Sequence, residues 1–187
     1  GLNRAFESDK IHATALLCQD YSEAWSHWDA KSSLGDWLKA EGVPGISGID
    51  TRALTKKIRS QGAMSGKIEF EGQPGVEFED PNTRNLVAEV SNPEVRIYGK
   101  GNPYKILAVD CGIKSNMIRM LVDRGAEMKV VPWDHNLYDE LANVDGIFLS
   151  NGPGDPTMCK KTIEELRKIV NAPDELVKPI FGICLGN

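Results

Sequence analysis

The second half of the chain alternates two kinds of segment, and that rhythm limits its folds more than any other feature. Apolar, strand-like runs open "YKILAVDCG" (104–112), "AEMKVVPWD" (126–134), "DGIFLSNGPGDP" (145–156) and "KPIFGICLGN" (178–187). Between them lie "IKSNMIRMLVDRG", "NLYDELANV" and "CKKTIEELRKIVNA", whose apolar residues recur at helical spacing. Strands that alternate with helices imply βαβ units and a parallel sheet. Such sheets place their chemistry beyond the carboxyl ends of the strands. Two glycine-rich loops, "SNGPGDP" and "GICLGN", fall at such ends.

The first half reads differently. "KIHATALLCQD" is an apolar run bounded by charge and predicts a strand. "SSLGDWLKAEGVPG" predicts a short helix, with Leu34, Trp37 and Leu38 on one face and Gly42 as the stop. "GISGID" is a short strand or turn. "DTRALTKKIRSQG" predicts a better helix, capped by Asp50 or Thr51 and ended by Gly62, with "TKKIR" as its wet face. "MSGKIEFEG" alternates like a strand, and "DPNTRNLVAEVS" predicts a turn before a short helix or extended segment. The Pro- and Gly-rich stretch 92–104 marks a domain boundary. The expected fold class is therefore α/β: a small mixed α/β N-terminal domain at 1–98, then an open, mostly parallel sheet at 99–187, each represented in part.

Composition narrows the function. The 187 residues carry a net charge of -5, with 22 Lys and Arg against 27 Asp and Glu. No basic run is long enough to neutralise a row of phosphates, which argues against a nucleic-acid partner. No apolar run approaches the roughly 20 residues that span a bilayer, so no membrane partner is expected. The chain does not open on Met, so "GLNRAFESDK" reads as an internal cut. The four cysteines, Cys18, Cys111, Cys159 and Cys184, form no CxxC pair and no zinc-like cluster with histidine. Reduced thiols and no metal are expected. Cys18 and Cys111 sit in or after apolar runs and read as small buried apolar residues.

Cys184 is different. Gly182 and Gly186 stand two residues to either side of it, at a strand-to-turn junction. A nucleophile on so tight a turn needs small neighbours, as in the nucleophile elbow. A helix starting there presents free N–H groups that favour thiolate, and the Leu185 N–H is placed to hold an oxyanion. The same residues also fit a core thiol beside two packing glycines. The loop "SNGPGDP" offers further backbone N–H groups, although Asn-Gly, Pro-Gly and Asp-Pro also form plain turns. It is no phosphate-binding P-loop, because GxxxxGK[ST] occurs nowhere and "GAMSGK" at 62–67 is one residue short. A cysteine nucleophile needs a base. Of the three histidines, His12 and His27 belong to the first half, His135 reads as a surface or interface residue, and none follows Cys184.

At these motifs the chain resembles the class I, triad-type glutamine amidotransferases, which carry a Gly-x-Cys-x-Gly elbow and an upstream Gly-Pro-Gly loop. With "IDTRALTKKIRSQGAMSGKI", "VDCGIKSNMIRMLVDRGAEMKVVPWD", "GIFLSNGPGDP" and "PIFGICLGN" it is similar, over essentially its whole length, to the glutaminase region of carbamoyl-phosphate synthetases. The "DTRALT" helix resembles their small preceding domain, which GMP synthetase, CTP synthetase and anthranilate synthase lack. The resemblance implies that Cys184 attacks the glutamine carboxamide, that Gly152 and Leu185 supply oxyanion-hole N–H groups, and that Gly154 helps bind glutamine. It also implies a His base and an orienting Glu downstream of the elbow, so the sequence reads as cut just after the nucleophile and is expected to be inactive alone.

The implied partners are glutamine and a synthetase portion of the same polypeptide or complex. No cofactor is expected in this region; ATP and Mg belong to the synthetase portion, which joins the ammonia to bicarbonate. "GKIEFEGQP" and "IYGKGNP" resemble the urea- and arginine-type enzymes, which implies a mitochondrial matrix location, with the cytoplasm of the pyrimidine-pathway forms as the alternative. The ammonia-using mammalian form has Ser at the nucleophile position, whereas Cys184 resembles the glutamine-using, fish-type pattern. Position 187 is Asn where bacterial and pyrimidine forms usually have His. A non-catalytic scaffold for an ammonia-dependent synthetase is the second reading. A related Cys hydrolase of peptidase or chaperone type is a third, and the "DTRALT" half argues against it.

Overall fold

The computed structural model describes residues 6–187. They form two compact units, one of Ser8–Glu79 and one of Asp80–Asn187 joined by Phe6 and Glu7.

In the smaller unit, β1 (Leu16–Leu17) pairs in parallel with β2 (Gly45–Ile46). Between them runs α1 (Leu34–Ala40), which buries Leu38. Ser33 caps it by accepting the Asp36 N–H at 3.0 Å and donating its hydroxyl to the Asp36 carboxylate at 2.7 Å. α2 (Thr51–Gln61) follows, with the Asp50 carboxylate accepting the Ala53 N–H at 2.8 Å and Gly62 closing the C-terminus. Its basic residues face solvent, as the sequence predicts. Two expectations need correction. The strand in "KIHATALLCQD" is two residues long, and Cys18 is half-buried rather than buried. "MSGKIEFEG" forms no strand: it has no ladder partner, and Phe70 of its alternating set stands 65% exposed. Period-2 alternation makes a strand only where a neighbour supplies the hydrogen bonds.

The larger unit opens with a single turn at Pro81–Thr83 and α3 (Leu86–Val90). Then come β3 (Arg96–Tyr98), β4 (Tyr104–Asp110), α4 (Ser115–Val122) and β5 (Ala126–Pro132). β6 (Gly146–Leu149), α5 (Lys160–Val170) and β7 (Ile180–Gly182) complete it. The segment Tyr138–Asn143, expected as a short α-helix, is a 3-10 helix.

The sheet order is β3-β5-β4-β6-β7. Every pairing is parallel except β3 with β5. This is the mostly parallel α/β sheet that the alternating segments imply. β3 lies within the stretch 92–104 that reads as a domain boundary. The compact unit also starts at Asp80, not at the expected 99. Residues 80–98 are woven into it by four kinds of contact. Val87 is buried in the core, and Ser91 Oγ accepts the Trp133 N–H at 3.0 Å. The Asn92 N–H donates to the Asp110 carboxylate at 3.0 Å, and β3 pairs with β5.

Both faces of the sheet are covered, and alternate residues of each strand go to opposite cores. Leu107, Val109, Val131, Ile147 and Leu149 pack on one side with Leu137, Leu141, Cys159 and Ile169 of α5. Ala108, Met128, Val130 and Phe148 pack on the other with Ile118 of α4. Lys114 gives α4 no side-chain cap. Instead Glu7 reaches it from a distance: its carbonyl accepts the Ser115 N–H and its carboxylate the Asn116 N–H, both at 2.9 Å.

α5 also carries a buried carboxylate. Glu165 is 1% exposed, accepts the Tyr138 N–H at 3.1 Å, and pairs with Lys168 and Lys161. Burial alone raises its pKa, but Lys168, the Tyr138 N–H and Lys161 outweigh that and hold the carboxyl below its usual range. A carboxyl whose folded pKa is lowered stabilises the fold above its unfolded pKa, and the contribution fades as the pH falls through the folded value. Glu165→Ala is therefore expected to cost about 1–3 kcal/mol near neutral pH. The gap to the unsubstituted protein should narrow below about pH 4. Urea unfolding across pH measures both, and a gap that widens towards acid refutes the assignment.

Candidate active site at the carboxyl edge of the sheet

The chain runs from β4 to β5 on one side and then crosses to β6 on the other. The helices that follow β4 and β6 therefore pack on opposite faces of the sheet, the strand order at whose carboxyl edge ligands bind in such folds. The turn after β7, the next strand along, borders the same edge.

The β4 exit is set by buried polar groups. Asp110 accepts the N–H groups of Gly112 and Ile113, each at 2.9 Å, besides that of Asn92. Ser150, fully buried at the end of β6, accepts the Cys111 N–H at 2.9 Å and donates to the Asn151 carbonyl at 2.9 Å. The Cys111 thiol is pushed up to about 12 by burial first, then by Cys159 and Asp110. Cys159 is also buried, and burial raises its pKa. These two are inert thiols.

Gly152 and Gly154 lie on the β6 exit loop. A side chain at Gly152 would collide with the Cys111 carbonyl oxygen, so the two loops meet backbone to backbone. Gly154 has φ 78° and lies against Leu86. Neither the Gly152 nor the Gly154 N–H has a hydrogen-bond partner among the described residues. The neighbouring Asn151 Oδ1 is a buried acceptor with no donor.

The turn after β7 places Cys184 in left-handed backbone, φ 57°, alone among the described non-glycine residues. Such a conformation costs on the order of 1–3 kcal/mol and persists only where the surroundings impose it. Three contacts impose it. The Ile183 N–H donates to the Leu149 carbonyl at 3.1 Å, tying the turn to the end of β6. A Cβ on Gly186 would lie 2.5 Å from that same carbonyl oxygen and 2.7 Å from the Leu149 Cβ. A Cβ on Gly182 would collide with the Gly186 carbonyl. Glycine at both positions is thus a requirement of close approach, as the sequence pattern suggested. The turn itself, Cys184–Gly186, is a single 3-10 turn.

Cys184 is exposed, which sets aside the reading of a core thiol. Leu185 is half-buried on the core that includes Leu149, and its N–H has no hydrogen-bond partner among the described residues. His135 is held elsewhere. Its Nε2 lies 3.1 Å from Glu140 Oε1, and Glu140 also takes the Lys129 ammonium at 2.7 Å. The Lys129 hydrogen bond, with help from His135, holds the Glu140 carboxyl low against the effect of burial. His135 follows β5, three strand positions from β7. At about 4.8 Å per strand that is roughly 14 Å, too far to take a proton from Cys184.

Ser150, Asp110 and Asn151 escaped the sequence reading. The available signal was a polar residue closing an otherwise apolar strand, "AVD" and "FLS". Brief alkylation with iodoacetamide at neutral pH is expected to label Cys184 well ahead of Cys111 and Cys159, read by peptide mass mapping; equal labelling would contradict the burial pattern. Gly186→Ala is expected to cost about 1–3 kcal/mol, as for overpacking, measured by chemical denaturation, and a neutral effect would show that the turn is free to move off β6.

Comparison with known proteins gives the family. Residues 1–68 match the family model "Carbamoyl-phosphate synthase small chain, CPSase domain", and residues 107–187 match "Glutamine amidotransferase class-I". The chain is 53% identical to the protein of Aquarana catesbeiana named carbamoyl-phosphate synthase (ammonia), mitochondrial, and 52% identical to that of Homo sapiens with the same name. All of this chain is aligned in each case, spanning 12% of the relative. It is 43% identical to the carbamoyl phosphate synthase arginine-specific small chain of Yarrowia lipolytica, again over the whole chain and 44% of the relative. The chain thus belongs to the carbamoyl-phosphate synthase small-chain family in its first part and to the class I glutamine amidotransferases in its second.

Proposed function

We propose that this chain carries the glutamine-hydrolysing site of a carbamoyl-phosphate synthase, with Cys184 as nucleophile. One observation carries the proposal: an exposed cysteine held in left-handed backbone by two glycines that have no room for a side chain. The Cys184 thiolate attacks the carboxamide carbon of glutamine. A C–S bond forms, and the carbonyl electron pair moves onto oxygen. The unpaired N–H groups of Gly152 and Leu185 are the proposed donors to that oxyanion, and Gly154 helps seat the substrate. Collapse of the adduct breaks the C–N bond, and a proton delivered to nitrogen releases ammonia. Water then cleaves the thioester, giving glutamate and the free thiol.

His135 is not the base in this reading, since it is held by Glu140 and lies by β5. In the parent enzyme the ammonia reaches a synthetase portion that uses bicarbonate and ATP. The names of the frog and human relatives support a mitochondrial location for it, and the cytoplasm is the alternative.

A second reading has support of its own. Those same relatives are named for ammonia, which favours an amidotransferase fold kept as a scaffold. One experiment separates the two. In the full-length protein, Cys184→Ser is expected to lower glutamine-dependent carbamoyl phosphate synthesis by about a thousandfold or more, as removal of a nucleophile does. Ammonia-dependent synthesis should stay intact. An unsubstituted protein with no glutamine-dependent activity establishes the scaffold; equal loss of both activities refutes the role given to Cys184.

A further inference from the structure

The Ser150 hydroxyl makes two hydrogen bonds at the root of the glycine loop, and the second one controls a peptide plane. It accepts from the Cys111 N–H and donates to the Asn151 carbonyl, both at 2.9 Å, with the side chain fully buried. The Asn151 carbonyl and the Gly152 N–H belong to the same peptide unit. No cis peptide occurs among the described residues, and across a trans peptide the C=O and N–H point in opposite directions. To hold the Asn151 oxygen towards Ser150 is therefore to hold the Gly152 N–H away from it, out of the loop.

A peptide that precedes glycine rotates easily, because glycine accepts backbone conformations on both sides of the φ map. Nothing else fixes this one: the Gly152 N–H has no partner among the described residues, and Asn151 Oδ1 has none. Packing between Gly152 and the Cys111 carbonyl fixes the loop's position, while the orientation of its N–H depends on the hydroxyl.

We infer that Ser150 is a positioning residue of the glutaminase site. It locks the Asn151–Gly152 peptide so that the Gly152 N–H faces the oxyanion, and through the Cys111 N–H it joins that lock to the β4 exit. This rests on the reading of Cys184 and Gly152 under Proposed function. The residue touches no reacting atom, and its effect lies in the direction of a donor that acts on the transition state. Removal of a whole oxyanion donor costs about 100- to 1000-fold in kcat. A donor left free to rotate retains part of that effect.

The test compares unsubstituted full-length protein with Ser150→Ala. Glutamine hydrolysis is expected to lose about 10- to 100-fold in kcat, with KM changed by less than about threefold. Iodoacetamide labelling of Cys184 needs no oxyanion donor and should keep its rate. Glutamate γ-semialdehyde gives an independent readout. The Cys184 thiol adds across its carbonyl, a C–S bond forms, the thiol proton passes to oxygen, and the hemithioacetal oxygen occupies the oxyanion position. Its affinity should fall by the same factor as kcat. Ser150→Cys keeps the shape with a weaker donor and is expected to lose more than about twofold in kcat but less than Ser150→Ala, which keeps the test decisive if the alanine variant does not fold.

A kcat within twofold of the unsubstituted protein in either variant overturns the inference. So does a loss of Cys184 labelling in step with kcat, which would signal general damage to the turn. Cys184→Ser, measured in parallel, separates the levels: if it still turns over glutamine, the reading of the site itself fails. If it is inactive while Ser150→Ala is normal, only the lock fails.

Discussion

The fit of the β7 turn onto the Leu149 carbonyl is the constraint on which the site depends. One oxygen atom accepts the Ile183 N–H and also leaves no space for a side chain at 186. β6 and β7 are in parallel register, with Leu149 opposite Gly182, so the sheet ladder itself delivers the turn to that oxygen. The backbone must then bend within two residues, and Cys184 takes the left-handed conformation that the bend requires. The strain at one residue is sustained by a ladder and two glycine contacts, which is how folded proteins keep unfavourable backbone at functional positions.

Buried polar groups do the corresponding work at the neighbouring loops. Asp110 and Ser150 stand at the ends of β4 and β6, where the apolar core gives way to the loops. Each would be costly in that place without partners. Each is satisfied by backbone N–H or C=O groups of a loop rather than by another side chain. The cost of burying them is thus converted into fixed loop geometry. The carboxyl edge becomes rigid where its glycines would otherwise leave it free, and backbone donors can serve as preorganised electrostatic partners.

Sequence and structure agree most where a pattern is long or sterically forced. The alternation of apolar runs and amphipathic stretches gave the parallel sheet, because a strand buried on both faces has no alternative composition. Gly182 and Gly186 pointed to a tight turn because close backbone approach admits no other residue. The reading broke down where tertiary contacts decide. β3 is three residues long, sits in a Pro- and Gly-rich stretch, and exists because the edge of β5 is available. "MSGKIEFEG" has the better alternation and no such edge. The role of Ser150 was illegible for a related reason, since a single serine at a strand end carries no periodicity and its meaning lies in two hydrogen bonds across 39 residues and one.

The three cysteines of the larger unit show how one fold sorts a common side chain into different environments. Cys111 and Cys159 share a core and are driven towards the neutral thiol by the loss of water around them. Cys184 stands on the same carboxyl edge as Cys111 but is exposed. Cys111 still contributes to the site through its backbone: its N–H is held by Ser150 and its carbonyl oxygen packs on Gly152. A thiolate at 111 would place a charge in the core beneath the proposed oxyanion donors and compete for them. Its burial as a neutral thiol therefore protects the electrostatics of the loop above it, and the exposed sulfur of the larger unit is the one on the left-handed residue, Cys184.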